Sequence, residues 1–344
     1  MITSKLFYLF FFSMVLYSII FIFKNYLSKL YPNYNPVQKI HREYVPPFGG
    51  IVIFTVFFTY IYFFLPNSIL LEWYILFPSL LIAFVGLIED LFGRATVTLR
   101  FFSILISSFI FVYVTENLPV IEIIFIGPVI NDNNLIKIIF FSIALTALSN
   151  GTNMIDGMNG LCGFTLLSIV FGLLGLNYLN SNLNLLNEEL IVLAVLIIIF
   201  LFLNFPYGKI FLGDMGAYWL GWIQGVIIII IFSNSNHNTW TAALLVFYPI
   251  MEVIFSTIRK LFIGKNPLNP DSNHLHLKIF KTLKGPQSRR GGFNSFTTLC
   301  LMPFWSLPLL AVIWVHYFSH LAILFILLFS FIYIVFYIIM PNHD

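Results

Sequence analysis

The chain has 344 residues, of which 60% are hydrophobic and 19% aromatic, against only 9% charged. Its 17 Lys and Arg and 14 Asp and Glu, net charge +3, are too few to clothe a water-soluble fold of this length. The composition therefore excludes a soluble enzyme and a nucleic-acid binder and makes lipid the main solvent. Two cysteines, Cys162 and Cys300, each beside an apolar stretch, exclude a disulfide framework and a thiolate metal site.

A helix needs about 18 to 20 apolar residues to cross the hydrocarbon core. Such runs occur at 6–23, 47–65, 69–88, 101–115, 135–149, 161–178, 190–204, 216–232, 240–257, 297–317 and 320–340. The first follows Lys5 as a signal peptide would, but no small-residue cleavage site comes after it and more spans do, so it reads as a membrane helix. The runs at 101–115, 135–149 and 190–204 are short, and reach full length by borrowing flanking residues or by ending where protein and water replace lipid. The stretch 119–134, two short apolar runs about Gly127-Pro128, is expected to be a small hairpin or interfacial segment. With no repeat of fixed period and no soluble boundary, the expected fold is one all-α domain over 1–344, a polytopic membrane bundle of about 11 transmembrane helices.

Basic residues set the orientation, because Lys and Arg stay in short cytoplasmic loops. If the spans alternate, all of the 17 Lys and Arg except Lys5 and Lys137 fall in the loops 24–46, 89–100, 150–160, 205–215 and 258–296. The other face carries Glu72, Glu116, Glu122, Asp132, Glu188 and Glu189 and the Asn-rich turns 180–187 and 233–238. That puts the N-terminus outside and the C-terminus in the cytoplasm.

Ionisable groups beside apolar spans are costly and call for a partner, a wet cavity or a ligand. Glu89-Asp90 ends the third span, where two adjacent carboxylates suit a Mg²⁺ ligand with a group that prepares a nucleophile, or an acidic cap paired with Arg94 or Arg100. Asn150-Gly151-Thr152-Asn153-Met154-Ile155-Asp156-Gly157 after the fifth span can read a base or sugar, or can be a turn with a cap. Asn204 to Gly216 holds Lys209 and Asp214 in a short loop fit for a diphosphate and its cation, the alternative being a snorkelling lysine and a capping carboxylate. His274 and His276 sit in a long basic loop after the ninth span. Two apart, they share a side only if the backbone is extended, and no third ligand completes a zinc set. A basic loop against anionic headgroups is the plainer reading. Glu252, near the end of the ninth span, is expected to pair with a cation from that loop. All four clusters fall on the expected cytoplasmic face.

Read in order, from Pro46-Pro47-Phe48-Gly49-Gly50 through Glu89-Asp90, Asn153–Gly157 and Phe211–Gly216 to His274-Leu275-His276, these motifs resemble the bacterial polyprenyl-phosphate N-acetylhexosamine-1-phosphate transferases of glycosyltransferase family 4. That family includes the phospho-N-acetylmuramoyl-pentapeptide translocase. The resemblance implies a helix bundle with a cytoplasmic cleft in a bacterial inner membrane. It implies transfer of a sugar-1-phosphate from a UDP-N-acetylhexosamine, N-acetylglucosamine foremost, to undecaprenyl phosphate with release of UMP, as an early step of cell-envelope polysaccharide synthesis. It also implies Mg²⁺, or Mn²⁺ in its place. Asp214 would be a metal ligand and Glu89 and Asp90 metal or catalytic carboxylates, with Asp156 supporting them. Asn150, Asn153, Asn204, Lys209, Arg100, His274 and His276 would bind substrate. Three positions depart from the family pattern. Glu89 stands for the first of two aspartates, Phe48 for a frequent arginine, and Leu277 ends what is a triple-histidine run in the translocase, which disfavours a muramoyl-pentapeptide donor. A homodimer stays open, and a transporter or an inactive scaffold of the same fold are the competing readings.

Overall fold

The structure, a computed structural model, describes residues 2–30, 45–123, 125–179, 185–267, 269, 271, 273–284 and 293–341. It is helical, with no strand among the described residues. In chain order the helices are α1 (Ile2–Leu30), α2 (Gly49–Phe64), α3 (Trp73–Phe92), α4 (Val97–Val114), α5 (Gly127–Asp132), α6 (Asn134–Ile155), α7 (Leu161–Leu179) and α8 (Asn187–Asn204). There follow α9 (Gly213–Ser233), α10 (Thr239–Leu245), α11 (Phe247–Phe262), α12 (Leu275–Lys284), α13 (Phe293–Cys300), α14 (Met302–Val315) and α15 (Ser319–Ile339).

Each apolar run becomes helix because a bilayer offers the backbone no other hydrogen-bond partner. Polar residues mark the ends. Thr96 Oγ1 accepts from the N–H of Leu99 at 3.2 Å, Asn133 Oδ1 from Leu135 at 3.0 Å and Asn238 Oδ1 from Thr241 at 3.0 Å, each a side-chain cap. Nine described helices are long and apolar enough to cross a membrane, and α10–α11, bent by 81°, would make a tenth. The 16 residues of α2 rise only about 24 Å.

α9 is the axis of the bundle. Every residue from Met215 to Phe232 is buried, and α2, α3, α6 and α7 pack around it. Lipid tails are as apolar as the side chains, so close packing rather than escape from water holds such helices together. Gly50 of α2 and Gly216 of α9 meet backbone to backbone, where a Cβ on Gly50 would lie 2.5 Å from the Gly216 nitrogen. Trp219 fills the next level among Phe54, Phe57 and Phe58. Further along, the Trp222 ring N–H donates to Ser108 Oγ at 3.1 Å.

The expected single span at 240–257 is instead two helices meeting at Val246. Pro249 explains the break, since it lacks an N–H and its ring would clash with the carbonyl four residues back, at Leu245. α11 turns its polar stripe inward: Tyr248, Glu252, Ser256 and Lys260, each four apart, are buried, while Ile254, Ile258, Leu261 and Phe262 are exposed. The stretch 119–134 forms no hairpin. Asn131 bonds both backbone groups of Ile121, at 3.0 and 2.9 Å, so one amide does the work of a partner strand, and α5 takes up the rest. Parts of the basic loops used for orientation, and the turn at 180–184, lie outside the described residues.

Candidate active site

Four helix ends meet at one end of the bundle. The polar residues expected to follow the spans lie within them or at their edges: Glu89 and Asp90 in the last turn of α3, Asn150 and Asn153 in the last turns of α6, Asn204 as the last residue of α8 and Asp214 in the first turn of α9. The helices continue through these residues because their polar groups find partners, Asp90, Asn153 and Asp214 across helices and Asn150 on the Thr146 carbonyl of its own helix.

Neighbours in a helix point about 100° apart, so the two carboxylates of α3 face different ways. Asp90 turns inward and is buried. Its Oδ1 accepts the N–H of Asp214 at 2.8 Å and its Oδ2 that of Met215 at 2.9 Å. Asp156, just past α6, takes the N–H of Gly213, and burial followed by the charge of Asp214 pushes its carboxyl well above the usual carboxylate range, against the pull of that N–H. Three successive N–H groups at the α9 N-terminus, which have no partner within their own helix, are thus held by two carboxylates, whose charge also suits the positive end of the helix dipole. Gly213 stands at φ +81, and a Cβ there would lie 2.7 Å from Asp90 Oδ2, so only glycine fits this turn.

Glu89 faces the other way. Its Oε2 accepts from the Ala95 N–H at 3.0 Å, and its Oε1 lies 3.7 Å from the Arg100 guanidinium of α4. The same guanidinium forms a close ion pair with Asp214 Oδ2, and Asn153 Nδ2 donates to Asp214 Oδ1 at 2.9 Å. The side chains of Glu89 and Asp214 each keep 25% of their exposure, enough to reach a ligand. Pro46 to Gly50 closes the floor, with Gly49 and Gly50 donating to the carbonyls of Phe211 and Leu212 at 2.9 and 2.8 Å.

A divalent cation fits this arrangement. A guanidinium already stands between two hard carboxylates, which marks the spot as one where positive charge is stabilised. Among the described residues no group of three or more His, Cys, Asp and Glu could hold a metal by itself. Mg²⁺ asks for less, because one or two carboxylates with waters and substrate phosphate oxygens complete its octahedron. Asp214 and Glu89 are placed for that role. Asp90, also expected as a ligand, has both oxygens on backbone N–H groups.

The other expected substrate-binding residues divide. Asn150 turns back to the Thr146 carbonyl at 2.8 Å. Asn204 is buried, its Oδ1 accepting the Gly160 N–H at 2.5 Å and its Nδ2 donating to Ile210 at 2.8 Å, so its amide is committed to stitching two turns together. Lys209 is exposed in the turn between α8 and α9. His276 is not in a loop: α12 begins at Leu275. Even so, the rings of His274, just before α12, and His276 stack at 5.6 Å and 8°. Glu252 pairs with His274 Nδ1 at 3.0 Å rather than with a lysine or arginine. Arg259 goes to Asp271, and Lys260 donates to the carbonyls of Pro267 and Asn269 at 2.9 and 2.7 Å.

Asn204→Ala is expected to lower thermal stability by about 2 to 4 kcal/mol, since a buried N–H and a buried carbonyl each lose their partner, while KM for either substrate stays within about twofold, a change worth under half a kcal/mol. Substrate kinetics beside a melting curve check this. A large KM change without destabilisation would return Asn204 to substrate binding.

Residues 72–232 match the family model described as Glycosyl transferase family 4. A Thermotoga maritima protein named undecaprenyl-phosphate alpha-N-acetylglucosaminyl 1-phosphate transferase is 29% identical over 239 residues, covering 70% of this chain and 69% of that protein. A Yersinia pestis protein of the same name is 27% identical over 295 residues, 81% and 77% of the two chains. A Saccharolobus solfataricus protein, named provisionally as a UDP-N-acetylglucosamine–dolichyl-phosphate N-acetylglucosaminephosphotransferase, is 31% identical over 236 residues, 66% and 70%. The matched span carries all four carboxylates and Arg100 and Asn153; Glu252 and the histidines lie beyond it.

Proposed function

Since this chain belongs to glycosyl transferase family 4, we propose that it is a multi-pass membrane enzyme that transfers N-acetylhexosamine-1-phosphate, with N-acetylglucosamine the first choice, from a UDP-sugar to undecaprenyl phosphate and releases UMP at the cytoplasmic face of a bacterial inner membrane. The observation that carries the reading is the pairing of Asp214 and Glu89 about one cationic position, at the end of a helix whose first N–H groups are held by Asp90 and Asp156. A lipid phosphate cannot leave the headgroup layer and a nucleotide sugar cannot enter the hydrocarbon, so a polar site at the ends of apolar helices is where the two can meet. Two relatives are named for undecaprenyl phosphate and an N-acetylglucosaminyl 1-phosphate group, and a third for UDP-N-acetylglucosamine and dolichyl phosphate, which supports this pairing of a nucleotide sugar with a polyprenyl phosphate.

In this reaction an oxygen of the polyprenyl phosphate attacks the phosphorus that carries the sugar. The bond from that phosphorus to the bridging oxygen breaks, and UMP leaves with the electron pair. A phosphate monoester with its second pKa near 6 is largely a dianion at neutral pH, so no strong base is needed. Glu89 therefore orients charge rather than removing a proton. Mg²⁺, held by Asp214 and Glu89 and completed by phosphate oxygens, would supply neutralisation of the diphosphate. Asn153 fixes the rotamer of Asp214 by donating to Oδ1. Arg100 offers a planar fork of donors suited to phosphate oxygens, and the α9 N-terminus adds a favourable field for anions. Such positioning and charge complementarity are what phosphoryl transfer chiefly requires.

The purified protein is expected to release UMP from UDP-N-acetylglucosamine only when undecaprenyl phosphate and Mg²⁺ are both present, checked by chromatography across a panel of UDP-hexosamines with Mn²⁺ as an alternative metal. Silence across the whole panel would overturn the reading. Uptake of a UDP-sugar into vesicles without UMP release would favour the transporter instead.

A further inference from the structure

A buried polar cluster outside the carboxylate site surrounds Glu252. This residue is 1% exposed on the inward stripe of α11. It sits three residues past Pro249, whose carbonyl carbon would be 2.8 Å from a Cβ on Gly151 of α6, so the cluster adjoins the helix that carries Asn153. Each oxygen of Glu252 has its own neighbours. Oε2 is 3.0 Å from His274 Nδ1. Oε1 accepts from the Tyr248 hydroxyl at 3.3 Å and is 3.8 Å from His276 Nδ1. One carboxylate is thus forked between two stacked imidazoles.

The chemistry of the fork fixes more than position. An ionised carboxylate only accepts hydrogen bonds, so Nδ1 of His274 carries the proton and Nε2 is left as the ring's functional nitrogen. His276 is fully buried; among the described residues neither of its ring nitrogens makes a close hydrogen bond, and its nearest polar neighbour is Glu252 Oε1, 3.8 Å from Nδ1. Burial holds its pKa below the ordinary histidine value, with His274 lowering it further and Glu252 opposing, so it is neutral at pH 7. A buried imidazole whose nearest polar neighbour stands 3.8 Å away goes without a full hydrogen bond, at about 1 to 3 kcal/mol, which marks it as a group kept for something other than stability.

The last helix straps this cluster in place. Tyr337 of α15 donates its hydroxyl to the Asn273 carbonyl at 3.1 Å. Lys278 stands 4.0 Å over the Tyr337 ring and donates to the Tyr337 carbonyl at 2.9 Å. Arg259 lies over the same ring at 5.8 Å while pairing with Asp271. The ring of Phe255, on α11, packs against Tyr337 at 4.5 Å. The segment around both histidines is therefore tied to α11 on one side and to α15 on the other.

We propose that Glu252 is a positioning residue of the transfer reaction, holding His274 and His276 as an oriented pair toward the nucleotide-sugar donor, and that Tyr337 is the strap that keeps their segment seated on α11. This rests on the transferase reading. Neither residue touches the reacting atoms; both act through the histidines.

A double-mutant cycle separates this role from a merely structural one. Glu252→Gln keeps length and shape but removes the charge and one acceptor, and kcat/KM for the donor is expected to fall about 10- to 100-fold, the range when a partner that orients a functional histidine is lost. In a His274→Ala background the same change is expected to cost less than about threefold, because the group it positions is gone. Equal losses in both backgrounds would overturn the positioning role. Tyr337→Phe, which drops only the hydroxyl bond, is the second variant if Glu252→Gln accumulates poorly; it is expected to lower kcat/KM about threefold to tenfold, on the order of 1 kcal/mol for one hydrogen bond, and to be silent when His274 is alanine. Nitrogen NMR of histidine-labelled full-length protein in detergent gives a readout independent of activity, with a fixed Nδ1–H tautomer at His274 in the parent and its loss in Glu252→Gln. The same tautomer in both proteins would sink the inference. A parent protein that transfers nothing would sink the function reading, while the NMR comparison would still decide what Glu252 does.

Discussion

Asp214→Ala abolishes transfer, with a loss of at least about 10³-fold or roughly 4 kcal/mol of barrier, in protein that still elutes as a folded species. Asp214 is the point at which three helices address one group: Arg100 from α4, Asn153 from α6 and its own place in the first turn of α9. Removing its carboxylate would leave Glu89 alone to hold the proposed cation and would leave Arg100 without its close partner. UMP release measures the loss, and Mn²⁺ binding followed by electron paramagnetic resonance gives a second readout in the absence of substrate. Both should fall together. Activity within tenfold of the parent would remove Asp214 from the centre of the site.

Asp90→Ala has a comparably large but different effect. Two buried N–H groups lose their acceptors, at about 1 to 3 kcal/mol each, so thermal stability drops and the first turn of α9 loosens. Since that turn carries Asp214, kcat is expected to fall about 100-fold while KM for the donor stays within about threefold, the pattern of a lost transition-state interaction. Asp90→Asn keeps one acceptor oxygen but sets an amide N–H₂ against a backbone N–H, and should lie between the two. Kinetics and melting curves on the three proteins check this. A variant with unchanged stability and weakened Mn²⁺ binding would instead make Asp90 a ligand.

Much of the fold was legible because a bilayer leaves the chain so little choice. Each of the eleven apolar runs falls largely on helix, but the run 240–257 is broken at Val246 and the run 297–317 at Leu301, and nine or, with the bent α10–α11 pair, ten described spans are long and apolar enough to cross a membrane. The ends were harder. Asn153, Glu89 and Asp214 look like loop residues in a linear sequence, since nothing local says that a polar side chain at a helix end will find a partner on another helix. That Glu89 and Asp90 diverge follows from helical geometry once both lie inside α3, but the apolar run 69–88 stops short of them. Arg100 was weighed both as a cap partner and as a substrate ligand, and its ion pairs with Glu89 and Asp214 fit the first while leaving room for the second. Asn204 resembled a recognition residue, yet its amide is spent on the backbone. The clearest missed signal is periodic: Tyr248, Glu252, Ser256 and Lys260 recur every four residues, an inward polar stripe that singles out Glu252 from the sequence alone.

The enclosure of α9 bears on how the protein meets membranes of different thickness. A bilayer thinner or thicker than the protein's apolar belt does its work on helices that touch lipid, by tilting or stretching them. α1 and α15 carry much of that contact, with Phe7, Phe10, Leu324, Leu327 and Phe331 all exposed. From Met215 to Phe232, α9 meets only protein, so mismatch reaches the Asp214 turn only through neighbours already locked against it. The chemistry is in this sense sprung from inside, and an outer ring of helices can adjust to acyl chain length while the inner one keeps its register.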